Sequence, residues 1–430
     1  MKRGRWFAHQ CQKAAAERSE AGDQRVNACK PIPGFAPLSR GFRLGVVLCL
    51  GLVCASAAEA QMLIGPWVDE AARAVERHRK TDVRLIVLDA EGAVVEGAEV
   101  RVEQLSHRVM LGLDGDDATL AKAAASGLPF DTIALPPPWG GGERGEGPLK
   151  QSGPPRRLAG PLIPADLADW PGGLVRADDA ALREALLSRL DAAAATADRL
   201  LVFGDLIGDG NAALRRLGPG FVRRAMQRLR ARRPRALIGW DAGEALMGGG
   251  QAAMLREAVA MRERFVPFDF VAASYRSSSP MPAKRMAVEL RRLDALNVPV
   301  LITAIQTGGE NPIEAATHAE TLLRLLFARP EVEGLLFAAL TPDNATEPHA
   351  ALIDDAGELT AVGRVVARLF GETWRSQPTG TTDAAGNLYT RLFHGTYRIT
   401  ATLPDGVTAE AEVRIDPAPA RRIVAIQPLK

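Results

Sequence analysis

The chain has 430 residues, a length that is enough for one large barrel and a smaller module. Of these residues 47% are apolar and 24% are charged. A formal net charge of +2 excludes a protein that seeks nucleic acid through its bulk charge. The histidines after residue 60 are scattered without the spacing of metal ligands, and no Gly-rich phosphate loop occurs. The sequence therefore predicts no metal and no cofactor.

Residues 1–60 have the features of an export signal. Arg43 precedes an apolar run that starts at Leu44, and residues 58–60 (Ala-Glu-Ala) match the small-x-small pattern that signal peptidase recognises. The run is too short for a comfortable membrane span, although an uncleaved anchor is the alternative. We therefore expect cleavage before Gln61, a secreted or periplasmic protein, and no stable membrane span after cleavage.

Two segments with alternating apolar and polar residues flank the centre of the chain. In the segment 61–106, a helical pattern over residues 67–80 precedes predicted strands at 83–89 and 98–105, which we expect to form an antiparallel hairpin about a turn at 90–92. The segment 376–430 has predicted strands at 388–393, 396–403 and 409–415. Neither segment alone has enough strands for two layers, so together they predict one small β-sandwich.

Between these segments, residues 107–375 alternate short apolar runs with helical patterns. The apolar runs are 109–113, 132–135, 158–163, 200–203, 236–238, 268–273, 298–302 and 332–340. The helical patterns are 118–126, 179–195, 220–232, 251–264, 282–296, 314–328 and 361–374. Eight β/α units of this length predict an α/β fold of the (β/α)8 TIM-barrel type. An open doubly wound sheet is the alternative, but no Gly-rich turn follows any strand.

The carboxyl ends of the predicted strands locate a candidate site, because parallel barrels carry their chemistry there. The acidic residues at or near these ends are Asp205, Asp209, Asp241, Glu244 and Asp343, and the aromatic candidates for sugar platforms are Trp139, Trp240 and Tyr275. Carboxyls beside apolar surface suit glycosidic chemistry, since a raised pKa lets one donate a proton while another stays ionised. The alternative for each carboxylate is that it caps a helix or faces water.

The order and spacing of the strands resemble glycoside hydrolase family 10, the endo-β-1,4-xylanases. The stretches that carry the resemblance are 107–112, 130–139, 236–241, 268–274, 298–306 and 332–343, which correspond to strands one, two, five, six, seven and eight of the family. The resemblance covers roughly residues 107–375 and implies a TIM barrel that acts on or binds a polysaccharide or oligosaccharide.

The signature residues of that family are missing. Its acid/base is a Glu after an Asn at the end of strand four, where this chain has Asp205 after Gly204. Its nucleophile is the Glu of a Thr-Glu-x-Asp motif. The matching stretch here is residues 303–306, with Ala304 in place of the Glu and Gln306 in place of the Asp. A Gly-His pair in strand three appears as Gly160-Pro161, and a Trp in strand eight appears as Ala338 or Ala339.

Three functions remain open from the sequence. The first is a catalytically impaired pseudoenzyme that binds carbohydrate or serves a structural role. The second is an active hydrolase that uses other carboxylates, for example Asp205 as acid in an inverting scheme. The third is a scaffold whose sandwich makes the contacts with other proteins. Aromatic residues make up only 5% of the chain, which counts against tight stacking of sugars.

Overall fold

The computed structural model describes residues 65–135, 156–167, 170, 172–193, 197–207, 210–346, 349–417 and 422–426. The predicted leader, Trp139 and Asp209 lie outside these residues. In chain order the strands are β1 (Lys80–Val87), β2 (Glu99–His107), β3 (Met110–Asp114), β4 (Thr132–Leu135), β5 (Arg156–Ala159), β6 (Arg199–Phe203), β7 (Leu237–Asp241), β8 (Phe270–Ser277), β9 (Val300–Thr307), β10 (Val332–Phe337), β11 (Thr379–Thr381), β12 (Asn387–Phe393), β13 (Gly395–Thr402), β14 (Thr408–Ile415) and β15 (Arg422–Ile426).

The described helices follow most of the barrel strands, as the helical patterns predicted. They are α1 (Pro66–Arg79), α2 (Asp117–Ala125), α3 (Gly172–Arg176), α4 (Asp179–Ala193), α5 (Ala212–Leu217), α6 (Pro219–Arg232), α7 (Gly250–Glu263), α8 (Ala283–Leu290), α9 (Pro312–Phe327) and α10 (Ala361–Arg368). Short 3-10 helices at Arg291–Leu296 and Pro342–Asn344 and a π-helical turn at Leu369–Thr373 complete the set. None of the described helices is long and apolar enough to cross a membrane.

Strands β3 to β10 close a parallel eight-stranded barrel, which confirms the predicted TIM barrel. Because side chains alternate along a strand, one set fills the barrel and the other packs under the helices. The interior set is Met110, Ala134, Leu158, Leu201, Phe270, Ala272, Leu301 and Leu336. A Cβ at Gly239 would lie 2.4 Å from the Phe270 ring, so only glycine fits opposite that side chain.

The two flanking segments form one sandwich, as predicted. One sheet has the order β12-β1-β15 and the other the order β11-β2-β13-β14, so each combines strands from both segments. The predicted hairpin of β1 with β2 is wrong, because the two strands lie in different sheets and each pairs with strands from the end of the chain. Alternation along each strand correctly predicted an inner face, but it does not specify the neighbouring strand.

The sandwich adjoins the amino-terminal end of the barrel strands, which we call the floor; the carboxyl-terminal end is called the mouth. Strand β2 ends at His107 and β3 begins at Met110, so the chain passes from the sandwich straight into the barrel. The ring of Phe327 stacks on Trp374 with their centroids 4.2 Å apart. The edges of Phe327, Phe370 and Phe393 surround His107 at 5.9–6.1 Å. The contacts join sandwich, barrel and final helix in one core.

Candidate functional site

Ala304 occupies a bulge in β9 at the mouth. The pairing of β9 with β10 and with β8 shifts register around this residue, between Leu335 and Phe337 and between Ser274 and Arg276. Its φ angle is 51°, in the left-handed region that residues other than glycine rarely adopt. The residue is 8% exposed. The bulge thus carries a small, inert side chain at residue 304, the nucleophile position predicted from the sequence.

Gln306 is tied to the loop that follows β10. Its side chain is buried, and its Oε1 accepts a hydrogen bond of 2.7 Å from the backbone N–H of Thr346 and another of 2.7 Å from the Thr346 hydroxyl. These two bonds occupy the carbonyl oxygen of the amide. The side chain therefore links the end of β9 to the loop after β10 through its oxygen, and it carries no charge.

Asp205 follows β6 with a φ angle of 37°, again in the left-handed region. Its carboxyl lies between two glycines: a Cβ at Gly210 would come within 2.5 Å of that group, and a Cβ at Gly243 within 2.8 Å. Burial raises the pKa of Asp205, partly offset by a hydrogen bond from the backbone of Ile207, while the charge of Glu244 raises it further. The carboxyl is accordingly enclosed by the loops after β6 and β7.

Asp241 ends β7 and links these two loops. Its carboxyl accepts a 3.1 Å hydrogen bond from the N–H of Gly243, and its backbone oxygen accepts one of 2.8 Å from Leu206. Burial raises the pKa of Asp241 to about 7, and the charge of Asp205 adds to the rise. A carboxyl with this pKa is substantially protonated near neutral pH, so it can donate a hydrogen bond or a proton.

Asp114 and Arg276 also belong to the mouth, although they were not among the predicted site residues. Asp114 ends β3, where solvent reaches it, but the surrounding protein raises its pKa to about 6 by desolvation. The charge of Arg276 lowers the pKa of both Asp114 and Asp241, so the cation faces both carboxyls. Both residues lie on the inward side of their strands. The sequence carries a signal for this, because residues two positions apart in a strand face the same side, and Asp114 and Arg276 follow the inward positions Gly112 and Ser274 by two.

The two described aromatic candidates are not sugar platforms, which corrects the prediction. Trp240 is fully buried under the helices, with its ring edge-on to Phe268 at 6.3 Å. Tyr275 is also buried, and its hydroxyl makes a 2.6 Å hydrogen bond with His318 on α9. Both side chains have outward parity, so they point away from the barrel axis. The prediction located the strand ends without assigning which side each residue faces.

The remaining predicted residues lie at the mouth but are exposed. Glu244 is in the loop after β7, and Asp343 is in the 3-10 helix after β10. Within the described ranges, no three His, Cys, Asp or Glu side chains come close enough to hold a metal ion. The mouth therefore contains three carboxyls with raised pKa values, those of Asp114, Asp205 and Asp241. The predicted nucleophile position, residue 304, carries only a methyl group.

Comparison of the structure with solved proteins identifies the architecture. Xylanase 10B of Thermotoga petrophila, solved in complex with xylobiose, superposes with a TM-score of 0.50 at 12% identity, covering 62% of this chain and 95% of the xylanase. The barrel has the fold of a family 10 xylanase. At the level of the fold, the resemblance to family 10 xylanases that the sequence showed is confirmed. No protein-family model matches the chain.

Two curated proteins match parts of the chain. Anti-sigma-I factor RsgI6 of Acetivibrio thermocellus is 33% identical over 116 residues, which are 27% of this chain and 15% of that protein. Endo-1,4-beta-xylanase 3 of Arabidopsis thaliana is 25% identical over 130 residues, which are 30% of this chain and 17% of the xylanase. The chain thus spans about a sixth of the length of the curated relatives it matches.

Proposed function

We propose that this protein is an exported pseudoenzyme with a xylanase fold, which binds a β-linked saccharide chain at the mouth without cleaving it by double displacement. The observation that carries the proposal is the methyl group of Ala304 at the nucleophile position. Retention of configuration requires two carboxyls about 5 Å apart, one of which attacks the anomeric carbon. A methyl group has no lone pair for that attack.

The residues near Ala304 do not supply another nucleophile for double displacement. Gln306 is neutral, and its amide oxygen is committed to Thr346. Asp205 is one methylene shorter than the Glu of the family, and the loops that contain Gly210 and Gly243 enclose its carboxyl. Because nucleophile and acid act as a unit, the loss of one removes most of the rate enhancement.

Binding is supported by the protonation states at the mouth. Asp241, with a pKa of about 7, and Asp114, with a pKa of about 6, can act as both donors and acceptors of hydrogen bonds near neutral pH. Sugar hydroxyls need both kinds of partner. The Thermotoga petrophila xylanase of the same fold was solved with xylobiose, and the other relatives include both a xylanase and an anti-sigma factor. That combination agrees with a barrel that recognises xylan-like chains for purposes other than digestion.

An inverting hydrolase is the second candidate, and the raised pKa of Asp241 favours it. A carboxyl protonated near neutral pH is suited to be the general acid, while Asp205 or Glu244 would activate a water molecule. The two candidates differ in one measurement. The inverting enzyme would turn over xylan and release product of inverted anomeric configuration.

The decisive experiment compares three proteins on xylan and on an aryl xyloside with a good leaving group. Wild type, Ala304→Glu, and Ala304→Glu combined with Asp205→Glu should all leave xylan intact. The aryl substrate needs little acid assistance, so Ala304→Glu is expected to cleave it slowly. Turnover of xylan by the wild type with retained configuration would refute the proposal.

Binding is tested separately by calorimetric titration with xylo-oligosaccharides. The wild type should bind. Asp241→Asn should bind like the wild type at pH 6, where the Asp241 carboxyl is mostly protonated, and differently at pH 8, where it is mostly ionised. The exposed Asp405→Asn, in the sandwich, serves as the matched control. Absence of binding to xylan fragments and other β-glucans would leave the scaffold function instead. Amino-terminal sequencing of the native protein tests export, with Gln61 expected as the first residue.

A further inference from the structure

One arginine stands over the centre of the barrel mouth. Arg276 lies near the end of β8 and has the same inward parity as Ala272, which belongs to the interior set. From Ser274 to Arg276 the strand β8 advances by two residues while β9 advances by three, so the extra residue of the bulge belongs to β9. The alternation of β8 is therefore kept up to Arg276, and its side chain rises above the interior layer.

Two carboxyls on opposite sides of the barrel feel the charge of this guanidinium group. Asp114 ends β3 and Asp241 ends β7, and these two strands face each other across the closed ring of eight. The charge of Arg276 lowers the pKa of both carboxyls. One cation reaches both sides because its side chain extends over the barrel axis. A ligand that covers the centre of the mouth therefore meets Arg276.

The donors of Arg276 are free to bind a ligand. The residue is exposed, and it forms neither an ion pair nor a hydrogen bond with any residue that the structure describes. At the floor, by contrast, the guanidinium groups of Arg108 and Arg156 form ion pairs of 2.6 Å and 2.5 Å with carboxylates. Arg276 is thus a permanent positive charge whose N–H donors point into solvent at the mouth.

The carboxyls around Arg276 do not cancel its charge in weakly acidic solution. The titratable groups of the surrounding strands and loops are Asp114, Asp205, Asp241, Glu244, Glu310 and Asp343. Desolvation raises the pKa of Asp114 to about 6 and that of Asp241 to about 7, so both are largely protonated at pH 5.5. Glu244, Glu310 and Asp343 are exposed, and solvent screens their charges. The centre of the mouth then offers a cation and protonated carboxyls, which are donors of hydrogen bonds.

We propose that the mouth selects a saccharide that carries a carboxylate, such as a uronic acid unit, and that Arg276 binds this carboxylate. The inference rests on the proposed saccharide binding and names the class of saccharide. A guanidinium group presents parallel N–H donors that match the two oxygens of a carboxylate, and the contact is strengthened by charge. A neutral sugar offers Arg276 hydroxyl groups but no charge. The gain in affinity is therefore specific to acidic saccharides.

The test is calorimetric titration of the full chain at pH 5.5 with two matched probes, xylotriose and xylotriose that carries one glucuronic acid substituent. The wild type should bind the acidic probe about tenfold more tightly, the scale of one hydrogen bond to a charged group. Arg276→Gln should bind both probes equally, with its affinity for xylotriose unchanged. The exposed Arg256→Gln, on the outer helix α7, is the matched control and should keep the preference of the wild type.

Two measurements on the wild type cover the case in which Arg276→Gln fails to fold. The preference for the acidic probe should fall as sodium chloride is raised from about 0.05 M to about 0.5 M, because salt screens the contact. It should also fall at pH 8, where Asp114 and Asp241 are mostly ionised and oppose a second carboxylate. The affinity for neutral xylotriose should not depend on salt. A preference that is constant in salt would contradict the proposed role of Arg276.

The possible failures of this inference and of the proposed function are distinguishable. Equal affinity of the wild type for the two probes, or a preference that survives in Arg276→Gln, would overturn the inference and leave the saccharide site in place. Absence of binding of both probes would refute the saccharide site itself, and the inference with it. Free glucuronate should bind far more weakly than the substituted xylotriose. Equal binding of these two would show a site for carboxylates without recognition of a saccharide, which would also overturn the inference.

Discussion

The two ends of the barrel differ in how their charged groups are held: by hydrogen bonds at the floor and beside like charges at the mouth. At the floor, Arg79 at the end of α1 donates 2.8 Å hydrogen bonds to the backbone oxygens of Phe327 and Val332 and a further bond to that of Arg329. Stacked aromatic rings enclose these bonds. At the mouth, Ala304 and Asp205 have left-handed backbone angles, and carboxyls crowd one another.

The difference shows where like charges are brought together. Strained backbone and like charges lower stability, and they persist only where the surrounding structure holds them. In barrels of this type the chemistry occurs at the mouth, and the left-handed backbone geometry of Asp205 and Ala304 lies at that end here. The floor and the sandwich supply the packing that keeps that geometry in place. Four predictions probe this contrast, from the largest expected effect to the smallest.

Loss of the Arg79 side chain should have the largest effect. Arg79→Met leaves three buried carbonyl oxygens without their donor, and we expect a loss of about 3 kcal/mol in the free energy of unfolding. Urea denaturation measures the change. Arg77→Met, at an exposed position of the same helix, is the control and should change stability by less than about 0.5 kcal/mol. Equal effects of the two variants would show that the floor does not depend on these bonds.

Acid should weaken the floor through its histidines. Burial lowers the pKa of His107 and of His394 to about 4, below their ordinary value of 6.5. The unfolded chain therefore takes up protons that the folded chain resists, and stability falls as the pH drops from 6.5 toward 4. We expect each of the two histidines to contribute a loss of roughly 2 kcal/mol between pH 7 and pH 5. His107→Gln should flatten this dependence, and an unchanged slope would contradict the assignment.

The mouth should respond to pH in the opposite direction. The pKa of Asp241 rises from 3.8 to about 7 on folding, so the unfolded chain releases this proton first and stability falls as the pH rises from 4 to 7. Asp241→Asn removes the ionisation and should stabilise the protein by about 1 kcal/mol at pH 8, with little effect at pH 4. Melting temperatures across this range test the sign. Destabilisation at pH 8 would indicate that the carboxylate has a partner there.

Relief of strain at Ala304 should have the smallest effect. Its φ angle of 51° is natural for glycine, so Ala304→Gly should raise stability by roughly 0.5 kcal/mol. Ala339→Gly, at a buried position that is not among the positive-φ residues, should lower it by about 1 kcal/mol. The pair of variants separates backbone strain from loss of a methyl group. Equal losses at both positions would mean that the bulge is unstrained.

Much of the fold followed from patterns within the chain. Apolar runs at 132–135 and 332–340 and the helical pattern at 314–328 matched strands and a helix because burial imposes its period on the sequence. The candidate site was predicted less well. Trp240 and Tyr275 were placed at the mouth because they end strands, while Asp114 and Arg276 were passed over. Which side of a strand faces the axis depends on the barrel as a whole.

The sequence by itself determined the order of the barrel units, the two-part origin of the sandwich and the presence of alanine at position 304, since each depends on local periodicity or on residue identity. Only the tertiary structure decided that β1 and β2 lie in different sheets, because strand pairing is a contact between distant segments. It also decided the left-handed angle at Ala304 and the enclosure of Asp205. These features arise from neighbours that converge only when the barrel closes, and no local pattern in the chain encodes that convergence.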